Sequence, residues 1–247
     1  MKWLRRGVGL LFIVLVVGGA LTSAATSDIL LLRRYGEMFF LWVAAATIAL
    51  HPHPVHRQIL VGALIGFASE IVGVATGIPY GVYRYTDTLG TAIAHVPVVM
   101  VAAWFVLLSY AWTSATKVMR TLWGARLFAA VLMTAYDLLI DPVAIGPMRL
   151  WTWHQDGVYY GVPTVNFFGW FVVSLLALLP VKQHAAEHKP SHWVGCAVVA
   201  FFTIVALRSG LVGAAAVGIL LLVVDGAIFR TQWVQYFALR KLPQAQA

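Results

Sequence analysis

The sequence predicts an all-α fold: a polytopic transmembrane helical bundle of about eight spans, with seven as the fallback. Three observations carry this. Of 247 residues, 61% are hydrophobic and 11% charged, and the mean hydropathy of +0.85 lies beyond the range of a soluble globular domain. The apolar residues gather into runs close to the roughly 20 residues needed to cross a hydrocarbon core. The basic residues fall mostly between these runs, alternating between dense and sparse.

The expected spans lie near 7–26, 35–50, 58–78, 92–113, 125–145, 164–180, 193–208 and 210–229. The first begins with Lys2, Arg5 and Arg6 and ends in the small residues Thr-Ser-Ala-Ala-Thr-Ser, a pattern shared with cleavable signal peptides. For a polytopic chain, an uncleaved first helix is the expectation. The seventh and eighth are separated only by Arg208-Ser209-Gly210, a very tight turn.

With the N-terminus inside, Lys2, Arg5, Arg6, Arg57, Lys117, Arg120, Arg126, Lys182, Lys189, Arg230, Arg240 and Lys241 fall on the inner side, twelve of the seventeen basic residues. Arg33, Arg34, Arg84, Arg149 and Arg208 remain outside. The positive-inside rule therefore favours N-in and C-in, in a cytoplasmic (inner) membrane. The formal charge of +8 is dispersed among short loops, which argues against a nucleic-acid partner. The single Cys196 excludes a disulfide framework and a cysteine-cluster metal site.

No linker or low-complexity tract divides the chain, so residues 1–247 read as a single integral membrane domain. Two longer connections, 79–91 and 142–163, are rich in Gly, Pro, Tyr and Trp and are expected outside. Irregular backbone at membrane depth must line a cavity or be covered by protein, so both should fold over a cavity. An internal repeat agrees: HVPVVMVAAWF at 95–105 aligns with GVPTVNFFGWF at 161–171, with five identities at an offset of 66. Glu70 then falls within one residue of Asp137. The two halves are separated by two spans, an even number of crossings, so the repeat is parallel. It frames residues 58–175 as a catalytic core of two pseudo-repeated halves.

Of nine carboxylates, Glu70, Asp137, Asp141 and Asp225 fall within or at the edge of expected spans. A charged acid at a helix centre costs on the order of 2.5–3.5 kcal/mol, so it should face the bundle interior and marks a functional candidate. Glu70 lies roughly 10 Å below the outer loop, at 1.5 Å rise per residue. A carboxyl in a dry site favours its neutral form, which can donate a proton. The plainer reading is a neutral acid hydrogen-bonded to a neighbouring helix.

Asp137 and Asp141 share a helix face, where two anions side by side are disfavoured, so one can keep a proton while the other is ionised. Pro142 is expected to end or kink that helix and expose carbonyls that could hold water. Asp141 could instead cap or orient the following loop. Asp225, five residues before Arg230, reads as paired or snorkelling.

The aromatic residues Tyr80, Tyr83, Tyr85, Trp151, Trp153, Tyr159 and Tyr160 of the outer loops, with Trp104 and Trp170 in adjoining spans, could stabilise a cation. An interfacial aromatic belt is the alternative. Asn166 could orient a water or bond a carbonyl. HPHPVH at 51–56 reads as a solvated turn, and HAAEH at 184–188 lacks the helical context of a zinc motif because Pro190 ends any helix there. No metal site is assigned. The chain has neither a Gly-rich phosphate loop nor a DDxxD-like diphosphate site, which argues against phosphorylated substrates.

Glu70 with TGIPYGVYRYTDTLG and HVP, then YDLLIDPVA and LWTWHQDGVYYGVPTVNFFGW, resembles the carotenoid biosynthesis membrane-protein family over about 58–175. Its named members are carotenoid 1,2-hydratases of the CruF type and bisanhydrobacterioruberin hydratases. The segment GVPTVNFFGW at 161–170 is the specific part, and His95 in the first Val-Pro element departs from the small residue expected there.

The resemblance implies addition of water to the terminal C1–C2 double bond of an acyclic carotenoid end, giving a tertiary alcohol. It implies no cofactor; the implied partners are the carotenoid, water and the bilayer, and association with other carotenoid enzymes is compatible with it. An isolated alkene must be protonated by a neutral acid, its cation sheltered by electron-rich walls, and water deprotonated by a second carboxylate. Glu70, Asp137 and Asp141 are the candidates for acid and base. Tyr80, Tyr83, Tyr85, Trp104, Trp153, Tyr160 and Trp170 are the candidate walls, and Asn166 would help place the water. A carotenoid cyclase would use the same cation, and a small-molecule or proton transporter also uses midplane acids and repeated halves.

Overall fold

The computed structural model describes residues 1–22, 30–154, 156–183 and 187–240. Helices form over α1 (Lys2–Thr22), α2 (Leu30–Ala49), α3 (His56–Thr76), α4 (Met100–Val118), α5 (Leu122–Ile145), α6 (Thr164–Leu178), α7 (Lys189–Arg208) and α8 (Val212–Arg240). Among the described residues α1, α3, α5, α7 and α8 hold stretches long and apolar enough to cross a membrane, and Met38–Ala49 and Thr164–Leu178 are shorter apolar helices. The protein is an all-α membrane bundle. Large apolar side chains such as Val14, Leu64, Phe168 and Val223 stand exposed on its outside, as on a surface that meets lipid rather than water.

At the centre runs α4, buried continuously from Trp104 to Ala115. A helix apolar all round has no face to give to solvent and belongs in the interior. It packs against α2, α3, α5, α7 and α8, while α3 and α5 each also pack against α6. Small residues let α3 come close: a Cβ on Gly66 would sit 2.3 Å from the Trp104 ring, and one on Gly62 2.2 Å from the Ala177 carbonyl.

Helix ends explain several boundaries. Thr121 caps α5 by accepting from Gly124 N at 3.1 Å. The buried Arg126 donates to the carbonyls of Leu178, Leu179 and Val181 at 3.2, 3.1 and 2.8 Å, satisfying acceptors that the end of α6 leaves open. The α7–α8 turn is as tight as expected. Gly210 takes a φ of +71°, Gly210 N donates to Leu207 O and Leu211 N to Ala206 O, the paired bonds of a Schellman ending.

Three boundary expectations are corrected. The fourth helix starts at Met100 rather than 92, because Ala92–Ile93 (β2) and Val96–Pro97 (β3) form a small hairpin first. Its turn places Ala94 and His95 at φ of +47° and +66°, so the unexpected His95 is an exposed turn residue. Pro190 does not end a helix: it sits in the first turn of α7, where its missing N–H costs no bond. Pro142 does not end α5 either, which continues to Ile145.

The two aromatic loops pair with one another. Tyr83–Tyr85 (β1) runs antiparallel to Trp151–Trp153 (β4), with Tyr83 opposite Trp153, Arg84 opposite Thr152 and Tyr85 opposite Trp151. Side chains alternate faces along a strand, so the four aromatic residues point together into the protein while Arg84 and Thr152 are exposed.

Candidate active site

Beneath this two-stranded lid the ends of α3, α5 and α6 converge on one cavity. Glu70 comes from α3, Asp137 and Asp141 from α5, and Asn166 and Trp170 from α6; the lid adds Tyr80, Tyr83, Tyr85, Trp151 and Trp153, and α4 adds Met100. All three acids are 3% exposed or less.

Each acid has its own donors. Glu70 accepts from Trp104 Nε1 at 2.5 Å on one oxygen and from the Tyr85 hydroxyl on the other. Trp104 is held for this by stacking on Trp170 and by the bare face of Gly66, one turn before Glu70. Asn166 Nδ2 donates to both aspartates, to Asp137 Oδ2 at 2.6 Å and to Asp141 Oδ2 at 2.9 Å. Asp141 Oδ1 takes the indole N–H of Trp151 at 2.6 Å and, more distantly, of Trp153 at 3.4 Å. Asp141 thus orients the loop that follows it and faces the cavity as well.

The lid tyrosines are neutral phenols. Burial first, then the nearby Glu70, pushes Tyr80, Tyr83 and Tyr85 well above the ordinary tyrosine range. Tyr80 also hydrogen-bonds Ser69 Oγ at 2.7 Å, anchoring the start of the lid to α3. Ring contacts run without a gap from Trp151 through Tyr85 and Tyr83 to Trp153.

A second, apolar cavity adjoins the first. Leu41 of α2, Ala103 and Leu107 of α4, Ile140 of α5 and Val198 and Phe202 of α7 line it. Met100, Asp137, Trp151 and Trp170 line both cavities. Asp137 is the one carboxyl shared between them among the described residues.

A family model described as "Carotenoid biosynthesis protein" matches residues 36–225. The chain belongs to the carotenoid biosynthesis protein family. A bisanhydrobacterioruberin hydratase from Haloarcula japonica is 33% identical over 126 residues, which cover 47% of this chain and 41% of that relative. The chain therefore spans less than half the length of this curated relative. No solved structure matches.

Within this member of the family, two candidate residues lie elsewhere than expected. Tyr160, 40% exposed, turns away from the cavity and its hydroxyl accepts from Gly213 N at 2.8 Å, in the first turn of α8. Trp104 lines the apolar cavity rather than the acid one, reaching Glu70 through its indole N–H. Trp151, one of the outer-loop aromatic residues, lines the cavity as well, and Met100 is a lining residue that the sequence does not point to. Met100 is the residue that the repeat aligns with Asn166.

Further expectations are corrected by long-range contacts. The carbonyl of Leu138, which Pro142 cannot serve, holds the Tyr159 hydroxyl at 2.9 Å. Asp225 meets His192 Nε2 at 2.8 Å and Cys196 Sγ at 3.0 Å, instead of pairing with Arg230. The histidines of 51–56 lie in a turn, as expected, but are half-buried rather than fully solvated. The rings of His53, His56 and His188 gather with centroids 4.6–5.4 Å apart. Of HAAEH, residues 184–186 lie outside those described; Glu187 pairs with Lys117 at 2.6 Å, and His188 caps α7.

Proposed function

We propose that this protein adds water across the terminal C1–C2 double bond of an acyclic carotenoid end group, giving a tertiary 1-hydroxy carotenoid without a redox cofactor. The observation that carries this is the position of Asp137, at the junction of an acid-lined aromatic cavity and an apolar one. Family membership supplies the carotenoid class, and the hydratase name of the relative agrees with the reaction.

The apolar cavity takes the end of the polyene and brings its terminal alkene to Asp137. Asp137 transfers a proton to C2, the π electrons form the new C–H bond, and a tertiary cation remains at C1. The rings of Tyr83, Tyr85, Trp153 and Trp170 face that charge, which an aromatic face stabilises by about 0.5–2 kcal/mol per desolvated contact. Water adds its lone pair to C1 and its extra proton passes to Glu70, aided by Tyr85. Return of that proton to Asp137 restores the site, so the balance is alkene plus water to alcohol. Asn166, itself held by Asp141, fixes Asp137 through Oδ2 and leaves its second oxygen for the reaction.

We further infer that residues 58–175 form the catalytic core of a single membrane domain with N- and C-termini inside, placing the lid on the outer side of the inner membrane. The distribution of basic residues supports this orientation.

The test is expression in cells that accumulate lycopene or γ-carotene. Extracted pigment should gain the mass of one water. A new ring at unchanged mass would mean a cyclase, and unaltered pigment across acyclic substrates would overturn both. Asp137→Asn and Glu70→Gln should each abolish hydration while the protein remains in the membrane; activity in either removes that residue from the mechanism.

A further inference from the structure

A second cluster of chemically capable side chains lies between α7 and α8, and no residue of it lines either cavity. His192 and Cys196 are four residues apart on α7, so they share one face. Asp225 of α8 faces them. His192 Nε2 and Asp225 Oδ2 are 2.8 Å apart, Cys196 Sγ and Asp225 Oδ2 3.0 Å, and Cys196 Sγ and His192 Nε2 3.6 Å.

We propose that His192, Cys196 and Asp225 bind a divalent zinc ion that cross-links α7 to α8. Nitrogen, sulfur and oxygen donors together are a set that zinc accepts, and three protein ligands leave its fourth tetrahedral position for water or another oxygen. Bond lengths of about 2.0–2.3 Å around a tetrahedral ion separate its donors by roughly 3.3–3.7 Å. The Cys196–His192 separation already falls in that range, and the other two need to widen by about 0.5 Å.

The surroundings hold this arrangement. The His192 ring stacks on Phe229 with centroids 3.5 Å apart and 17° between planes. Tyr110 brings its hydroxyl to 3.4 Å from Cys196 Sγ, close enough to supply the fourth oxygen or to orient a water there. It packs so tightly on α7 that a Cβ on Gly195 would lie 2.0 Å from its ring. Ser114 Oγ reaches Asp225 Oδ1 at 3.5 Å.

Charge favours the ion too. A carboxylate and a thiolate with a neutral imidazole offset a 2+ charge, leaving no net charge within the bundle. Lys117, the basic side chain over the Phe229 ring, is paired with Glu187.

The experiment uses the full-length protein purified in detergent. Elemental analysis should find about one zinc per chain. Replacement by Co(II) should give both a thiolate-to-cobalt charge-transfer band and the intense visible bands of tetrahedral coordination. Cys196→Ala should lose the sulfur band, and His192→Ala and Asp225→Asn should lose the bound metal. Glu70→Gln should keep it, which separates this site from the hydration site. A cobalt spectrum without the sulfur band, or equal metal content in wild type and Cys196→Ala, would overturn the proposal and leave a hydrogen-bonded triad. If the variants fail to fold, the wild-type cobalt spectrum alone decides.

Discussion

Trp104 of α4 and Trp170 of α6 stack face to face, with ring centroids 4.7 Å apart and 11° between planes. They are also the two tryptophans that the repeat aligns. The stack does more than fill space, because it aims the Trp104 N–H at Glu70, 2.5 Å away. Trp170 meanwhile lines both cavities. One aromatic pair therefore joins the carboxyl of α3 to the wall that the two cavities share.

Trp104→Phe separates these roles. It keeps an aromatic ring against Trp170 but leaves one oxygen of a buried carboxyl without its donor, a loss worth about 1–3 kcal/mol. Hydration should fall by roughly 5- to 100-fold, at 1.4 kcal/mol per factor of ten. Pigment conversion per unit of membrane protein measures this. Unchanged conversion would mean that the Trp104–Glu70 bond has no part in the reaction.

Asn166 is the single donor that bridges Asp137 and Asp141. Asn166→Asp keeps the size and removes the amide N–H, setting three carboxyls side by side. Its expected outcome is loss of hydration and a lower melting temperature in detergent. Asn166→Gln retains the amide with a longer reach and should recover part of the melting temperature. Equal behaviour of the two variants would show that the amide N–H is dispensable.

The acids and the aromatic loops were legible in the sequence because each is locally improbable. Glu70, Asp137 and Asp141 interrupt apolar runs, and Gly and Pro interrupt the loops. Their partners were not legible, since pairing across 70 residues leaves no local trace. Two three-residue strands are too short for a periodicity argument, so the sequence predicts only irregular loop where the lid forms. Ile93, Val96 and Pro97 read as the start of a span because hydropathy does not distinguish a short apolar hairpin from a helix. Sequence proximity points Asp225 to Arg230, whereas its shortest contacts are to His192 and Cys196 on α7.

His188 makes a pH prediction. Its Nε2–H donates to the His51 carbonyl at 2.9 Å, while Nδ1 accepts from Ser191 N at 3.2 Å, which requires a neutral ring. Burial first, then the neighbouring His53, lowers it from 6.5 to about 4. Between these values the unfolded chain binds a proton that the folded one does not. Its contribution to stability is therefore complete above pH 6.5 and declines as the pH falls toward 4. Melting temperature measured across that window should fall less steeply in His188→Gln than in wild type. Parallel curves would remove His188 as the titrating group.

Tyr159 and Pro142 form a pair whose coupling can be measured. Pro142 lacks the N–H that would serve the Leu138 carbonyl four residues earlier, and the Tyr159 hydroxyl donates there instead at 2.9 Å. The same hydroxyl is pushed up to about 12 by burial, then by Tyr160 and Asp137, so it remains a donor at neutral pH. Tyr159→Phe should destabilise the protein by about 1 kcal/mol, the low end of the cost of an unpaired carbonyl, because this bond is only part-buried. In a Pro142→Ala background, residue 142 regains its N–H and can close the helical bond itself, so the same Tyr159→Phe change should cost almost nothing. The double-mutant cycle, read as denaturant or thermal stability in detergent, should give a coupling of about 1 kcal/mol. Additive effects would show that Tyr159 does not stand in for the bond that Pro142 removes.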